Sequence, residues 1–116
     1  MTAHATENDR VIPPMPERTP KALRAAITEH APVLLPDFDE HWKWAIADAY
    51  DVGPVHAFMA LWWGEYALAR DPELDAHVHD LEYRAGNVCT DINEAKALLE
   101  EAARIRHRAR AVEPGE

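Results

Sequence analysis

The sequence predicts an all-α fold, a compact bundle of about five helices packed around a central apolar helix, with a long helix at the C-terminus. Three observations lead there. Alanine occurs 21 times, against 12 for valine and isoleucine together. Alanine is the strongest helix former, whereas β-branched residues favour strands. Four glycines leave little material for hairpins. Between Val55 and Ala69 there is one ionised side chain, Glu65, and one histidine, His56, while apolar residues run most of the way round the helical wheel. A helix of that kind is the one other elements pack against. The length, 116 residues, makes this a single domain.

Residues 1–18 are polar and then rich in proline (Pro13, Pro14, Pro16), which reads as a flexible extended arm. In an alternative reading Val11, Ile12 and Met15 pin it to the domain. The domain proper spans residues 19–112, and 113–116 form a tail. The first helix opens at Thr19-Pro20, a capping hydroxyl followed by a proline at the first helical position. Leu23, Ala26, Ile27 and His30 share one face, and Pro32 ends it. Val33, Leu34 and Leu35 make Ala31–Pro36 a buried crossing segment. The second helix, from Asp37 to Tyr50, turns Phe38, Trp42, Ala45, Ile46 and Ala49 inward. Trp44 lies about 200° from Trp42 around the wheel. It is therefore either exposed or packed on a different element.

The third helix starts near Gly53-Pro54 and ends at Arg70. Asp71-Pro72 repeats the cap-and-proline signal and opens the fourth, whose stripe is Leu74, Val78, Leu81 and Ala85. Gly86 is placed to end it in a left-handed conformation. The fifth runs from Asp91 to Val112, with Asp91 and Glu94 at capping-box spacing. Its apolar stripe is Ile92, Ala95, Leu98, Leu99, Ala102, Ile105, Ala109 and Val112. Its acids come early, and Arg104, Arg106, Arg108 and Arg110 come late, an order that suits the helix dipole.

Composition narrows the function. A net charge of −9 argues against direct nucleic-acid binding, which depends on neutralising phosphates. Cys89 is the lone cysteine, so neither an intramolecular disulfide nor a multi-thiolate zinc site can form. The opening residues lack the basic and apolar regions of a signal peptide, and no apolar run approaches the ~20 residues of a membrane span. The expected location is the cytoplasm, with no membrane partner.

The residues that could carry chemistry lack partners. Glu73 with His77, and Asp75 with His79, sit four apart on one helix, with Glu82 further along. A carboxylate-bridged dimetal bundle needs Glu-x-x-His on two helices, and that motif does not occur. Nor does His-Glu-x-x-His, so no metal is expected. His56 as a general base would need Asp48 or Asp51; otherwise it is a hydrogen-bonded residue near a helix start. Cys89, near a helix N-terminus, is placed for a lowered pKa, yet it lacks an activating base. Glycine-rich phosphate loops and a nucleophile elbow are missing. No catalytic residue and no cofactor are expected.

What remains is recognition. The stretch Arg104–Arg110 is the one basic cluster. Large apolar residues thin out after Ala102, so residues 102–112 are expected to project beyond the bundle. The partner surface is then Leu99, Ile105, Arg106 and Arg110, joined by Trp44. The alternative is a small-ligand or sensor domain, with an aromatic pocket between helices lined by Trp42, Trp62, Tyr66 and His77.

The segments TPKALRAAITEHAP, LLPDFDEHW, PVHAF with the following tryptophan pair, and ALARDPE carry a likeness across about residues 13–85. There the chain resembles a family of small uncharacterised actinobacterial proteins classed as domain of unknown function 6247. The resemblance implies a compact helical domain and brings no catalytic residue. Relatives beside toxins of the RelE/ParE type imply an antitoxin-like role. The partner is then a small basic toxin or a second copy of the chain, and an acidic protein is electrostatically suited to the former.

Overall fold

A computed structural model describes residues 11–116. Among the described residues the chain forms five α-helices: α1 (Pro20–His30), α2 (Leu35–Trp42), α3 (Val55–Ala69), α4 (Pro72–Asn87) and α5 (Ile92–Arg110). A 3-10 turn, Pro32–Leu34, leads into α2, and a π-turn, Lys43–Ala47, continues it. Among the described residues there is no strand, and no helix is long and apolar enough to cross a membrane.

Three helices begin as their local chemistry dictates. The Thr19 hydroxyl accepts the Ala22 amide at 3.1 Å, and the Asp71 carboxylate accepts that of Leu74 at 3.3 Å. Asp91 accepts the amide of Asn93 at 2.9 Å, which supplies the α5 cap. Each removes an orphan donor from a first turn.

The centre is α3. Trp62, Trp63, Gly64, Tyr66, Ala67 and Leu68 are all buried, so its second half is covered from every side. Its first half is more open, and His56, Ala57, Ala60 and Leu61 are exposed. Phe38 of α2 meets Phe58 and Trp62 edge to face at 4.9 and 5.7 Å. From α1 come Leu23 and Ile27, and from α4 Val78 and Leu81, all buried. Residues 13–18 and 112–115 close the end of the bundle together. Met15 is buried, and its carbonyl accepts the Gly115 amide at 2.8 Å. The Arg18 guanidinium sits 4.2 Å over the Trp63 ring, and the Trp63 indole donates to the Val112 carbonyl at 2.8 Å. Val11 and Ile12 are exposed. Residues 1–10 of the expected arm lie outside the described residues.

Several expectations are corrected. The second helix is not regular to Tyr50. After Trp42 the bonds widen to i→i+5, with the Asp48 amide on the Lys43 carbonyl at 2.7 Å. This π-turn keeps Ile46 in the core but leaves Ala49 exposed. The crossing segment before α2 is buried only in part: Ala31 is in the core and Leu34 and Leu35 pack against it, but the 3-10 turn points Val33 at solvent. Gly86 does not terminate α4, which continues through Asn87; Arg84 then accepts the amides of both Val88 and Cys89.

The largest correction concerns α5. Its second half does not project: Ala102, Ile105 and Ala109 are buried. It is the first half that is open, with Ile92 80% and Leu99 50% exposed. The cause is small residues. Gly64 lets α5 so close to α3 that a β-carbon there would fall 2.8 Å from Cγ of Arg110. Arg106 then fastens the contact. It donates to both oxygens of Glu82 on α4, at 2.7 and 2.8 Å, and to Glu65 on α3 at 3.3 Å.

Candidate functional site

The end of α2 carries a chain of stacked and hydrogen-bonded rings. His41 accepts the Trp62 indole proton on Nδ1 at 2.9 Å, which leaves Nε2 to carry the ring proton in the neutral form. On its other side His41 stacks against Trp44, with centroids 4.9 Å apart and planes 30° apart. A core tryptophan thus holds a histidine that supports a surface tryptophan. Trp42 faces another way, edge-on to Phe58 at 5.2 Å.

Trp44 is 61% exposed, Tyr50 97% and Val52 80%. The backbone sets this arrangement. The π-turn rotates Trp44 outward, and the chain then reverses at Tyr50, which takes a φ of 50°. That left-handed conformation is uncommon for a residue with a bulky side chain. The loop that follows is braced by Asp51, whose carboxylate accepts the Gly53 amide at 2.9 Å. In the same stretch of sequence Asp37, Glu40, Asp48 and Asp51 are exposed, and Lys43 pairs with Asp48 at 2.9 Å. The segment therefore combines exposed aromatic side chains with an excess of exposed acids.

The other residues singled out from sequence fall elsewhere. Leu99 is half exposed on the open half of α5. Ile105 is in the core, and Arg106 is committed to Glu82 and Glu65. Those hydrogen bonds hold the Glu82 carboxyl below the usual carboxylate range and push Arg106 up. Arg110 is exposed, its stem against Gly64. With Ile105 and Arg106 spent internally, the four do not make one surface with Trp44.

The expected aromatic pocket is also divided. Trp42 lines a groove with Thr19, Pro20, Lys21, Arg24, Phe38 and Asp39, and its walls do not include Trp62, Tyr66 or His77. Trp62 and Tyr66 are core residues. The Tyr66 hydroxyl is buried without a hydrogen-bond partner among the described residues, and burial pushes the phenol up. His77 is exposed on α4, 3.7 Å from Glu101.

Neither His56 nor Cys89 gains a catalytic setting. His56 is exposed. The Cys89 thiol is pushed up rather than lowered, by burial and then by the neighbouring Glu94 carboxylate. Among the described residues no three of histidine, cysteine, aspartate and glutamate gather to hold a metal ion. His79 instead lies 2.8 Å from the carbonyl of Asp75.

Sequence reasoning found Trp44 but missed His41, Tyr50 and Val52. The available signal was two large apolar residues in an acid-rich loop, outside any helical stripe. A family model described as a family of unknown function (DUF6247) matches residues 12–110, and the chain belongs to that family. No curated protein and no solved structure matches it.

Proposed function

We propose that this member of the DUF6247 family is a non-catalytic protein-interaction domain whose aromatic corner docks a basic partner. The observation that carries the reading is the exposure of Trp44, Tyr50 and Val52 along one short stretch of chain. Each large apolar side chain left in water forgoes ~1.5–3 kcal/mol of burial. Aromatic side chains of this kind are typical of the few residues that dominate binding energy at interfaces. The exposed acids of the same segment supply steering and selectivity for a positively charged surface. A small basic toxin of the RelE/ParE type is the partner this reading favours, in an antitoxin-like role. Direct nucleic-acid binding is not part of it, since the chain carries −9 overall. The reading takes the protein as cytoplasmic.

The test is calorimetric titration of the chain with a purified RelE/ParE-type toxin from the same genome. A Trp44→Ala, Tyr50→Ala double variant is expected to bind at least about 30-fold more weakly, the loss of ~2 kcal/mol that marks dominant interface residues. Both side chains are exposed, so the helical circular dichroism signal should not change. Wild-type affinity in the double variant would contradict the proposal.

A further inference from the structure

The groove between α1 and α2 lies apart from the corner. Thr19, Pro20, Lys21 and Arg24 form one wall, Phe38, Asp39 and Trp42 the other, around about 560 Å³. That is within the ~300–1,000 Å³ typical of small-ligand sites. Its apolar surface comes from Pro20, the buried ring of Phe38 and the half-buried ring of Trp42. Phe38 and Trp42 are both braced edge-on against Phe58, so these walls are already in place.

The charges on the rim do not balance. Arg24 donates to both oxygens of Asp39, at 2.8 and 2.7 Å, and each neutralises the other. Lys21 also lines the groove and pairs with no carboxylate among the described residues. The groove therefore carries a local positive charge on a chain whose net charge is −9. The chain as a whole attracts cations, whereas the lining of this groove is complementary to one negative charge attached to an apolar body.

We propose that the α1–α2 groove binds a small apolar carboxylate. Its ring or short alkyl body lies against Trp42, Phe38 and Pro20, and its carboxylate faces Lys21. Neither Trp44 nor Tyr50 takes part, so this site does not depend on the corner's role.

Three probes of equal shape test it: naphthalene-2-carboxylate, naphthalene-2-carboxamide and naphthalen-2-ylmethanamine. Each is titrated into the ¹⁵N-labelled full chain, and amide shifts are followed by nuclear magnetic resonance. The carboxylate is expected to shift amides within 19–24 and 38–42 and to bind about threefold to fivefold more tightly than the carboxamide, the scale of one exposed ion pair. The amine should bind more weakly still. Lys21→Glu should remove the advantage of the carboxylate and leave the carboxamide unchanged. Lys21 is exposed, so the variant keeps its fold. Absence of shifts at millimolar carboxylate would overturn the proposal, as would shifts centred elsewhere. Equal binding of carboxylate and amine, or indifference to Lys21→Glu, would do the same.

Discussion

Arg106 is the side chain on which three helices meet. Its two bonds to Glu82 and one to Glu65 are mostly shielded from water, so removing it leaves two carboxylates facing each other without a counter-charge. Arg106→Ala is expected to cost about 1–3 kcal/mol, read from chemical denaturation, the scale of a hydrogen-bonded charged group left unsatisfied. The pH dependence follows from the same contact. Arg106 lowers the folded-state pKa of Glu82 below its unfolded value, so this stabilisation is fully present above the ordinary glutamate value, about 4.3. It is lost as pH falls from there through the lowered folded value. The wild type should therefore lose more stability between neutral pH and about pH 3 than a Glu82→Gln variant does. Equal losses would remove the ion pair from the account.

Gly86 tests a different point at the same scale. It lies inside α4, and a β-carbon there would meet nothing within 4 Å. Gly86→Ala should raise stability by up to about 0.5 kcal/mol, at or below the low end of the helix-interior gain because Gly86 is the penultimate residue of α4. A left-handed cap would give the opposite sign, so a lower melting temperature would show that the helix ends there. Residue-scale signals were legible where they were local. Thr19, Asp71 and Asp91 each cap the helix they were expected to cap, because a capping bond reaches only two or three residues. Tyr50 was not legible, since no residue type announces a left-handed tyrosine.

Among the elements, α5 shows how a helix can be read correctly and docked wrongly. Its span and stripe follow from spacing. Which half holds to the bundle depends on how close two backbones come, and here Gly64, Ala102 and Ala109 decide that. A reading weighted by large side chains ranks Leu99 above Ala102, yet Ala102 is buried and Leu99 half exposed. Removing residues 103–116 should accordingly abolish cooperative thermal unfolding. The deletion takes away Ile105, the Arg106 fork and the Val112 carbonyl that receives the Trp63 indole proton. A truncated chain melting within a few degrees of the full one would restore the projecting helix. The π-turn after α2 was equally hidden from spacing, because five residues of i→i+5 bonding leave no period to detect.

For the whole molecule, the division is between a core that consumes most of the aromatic residues and two surfaces that keep some outside. The all-helical architecture and the central place of α3 were legible because its apolar residues cover almost the full wheel. The candidate site was legible only at Trp44, through its offset from Trp42. The rest of the corner arises from a change of helical pitch and a backbone reversal, both products of tertiary packing. On the proposed function, a partner docks at this corner and not on α5. Amide hydrogen exchange of the chain, alone and with a RelE/ParE-type toxin added as the proposed partner, is the decisive measurement. Added protection is expected to concentrate in residues 40–54. Protection confined to residues 99–110, with 40–54 unchanged, would contradict it.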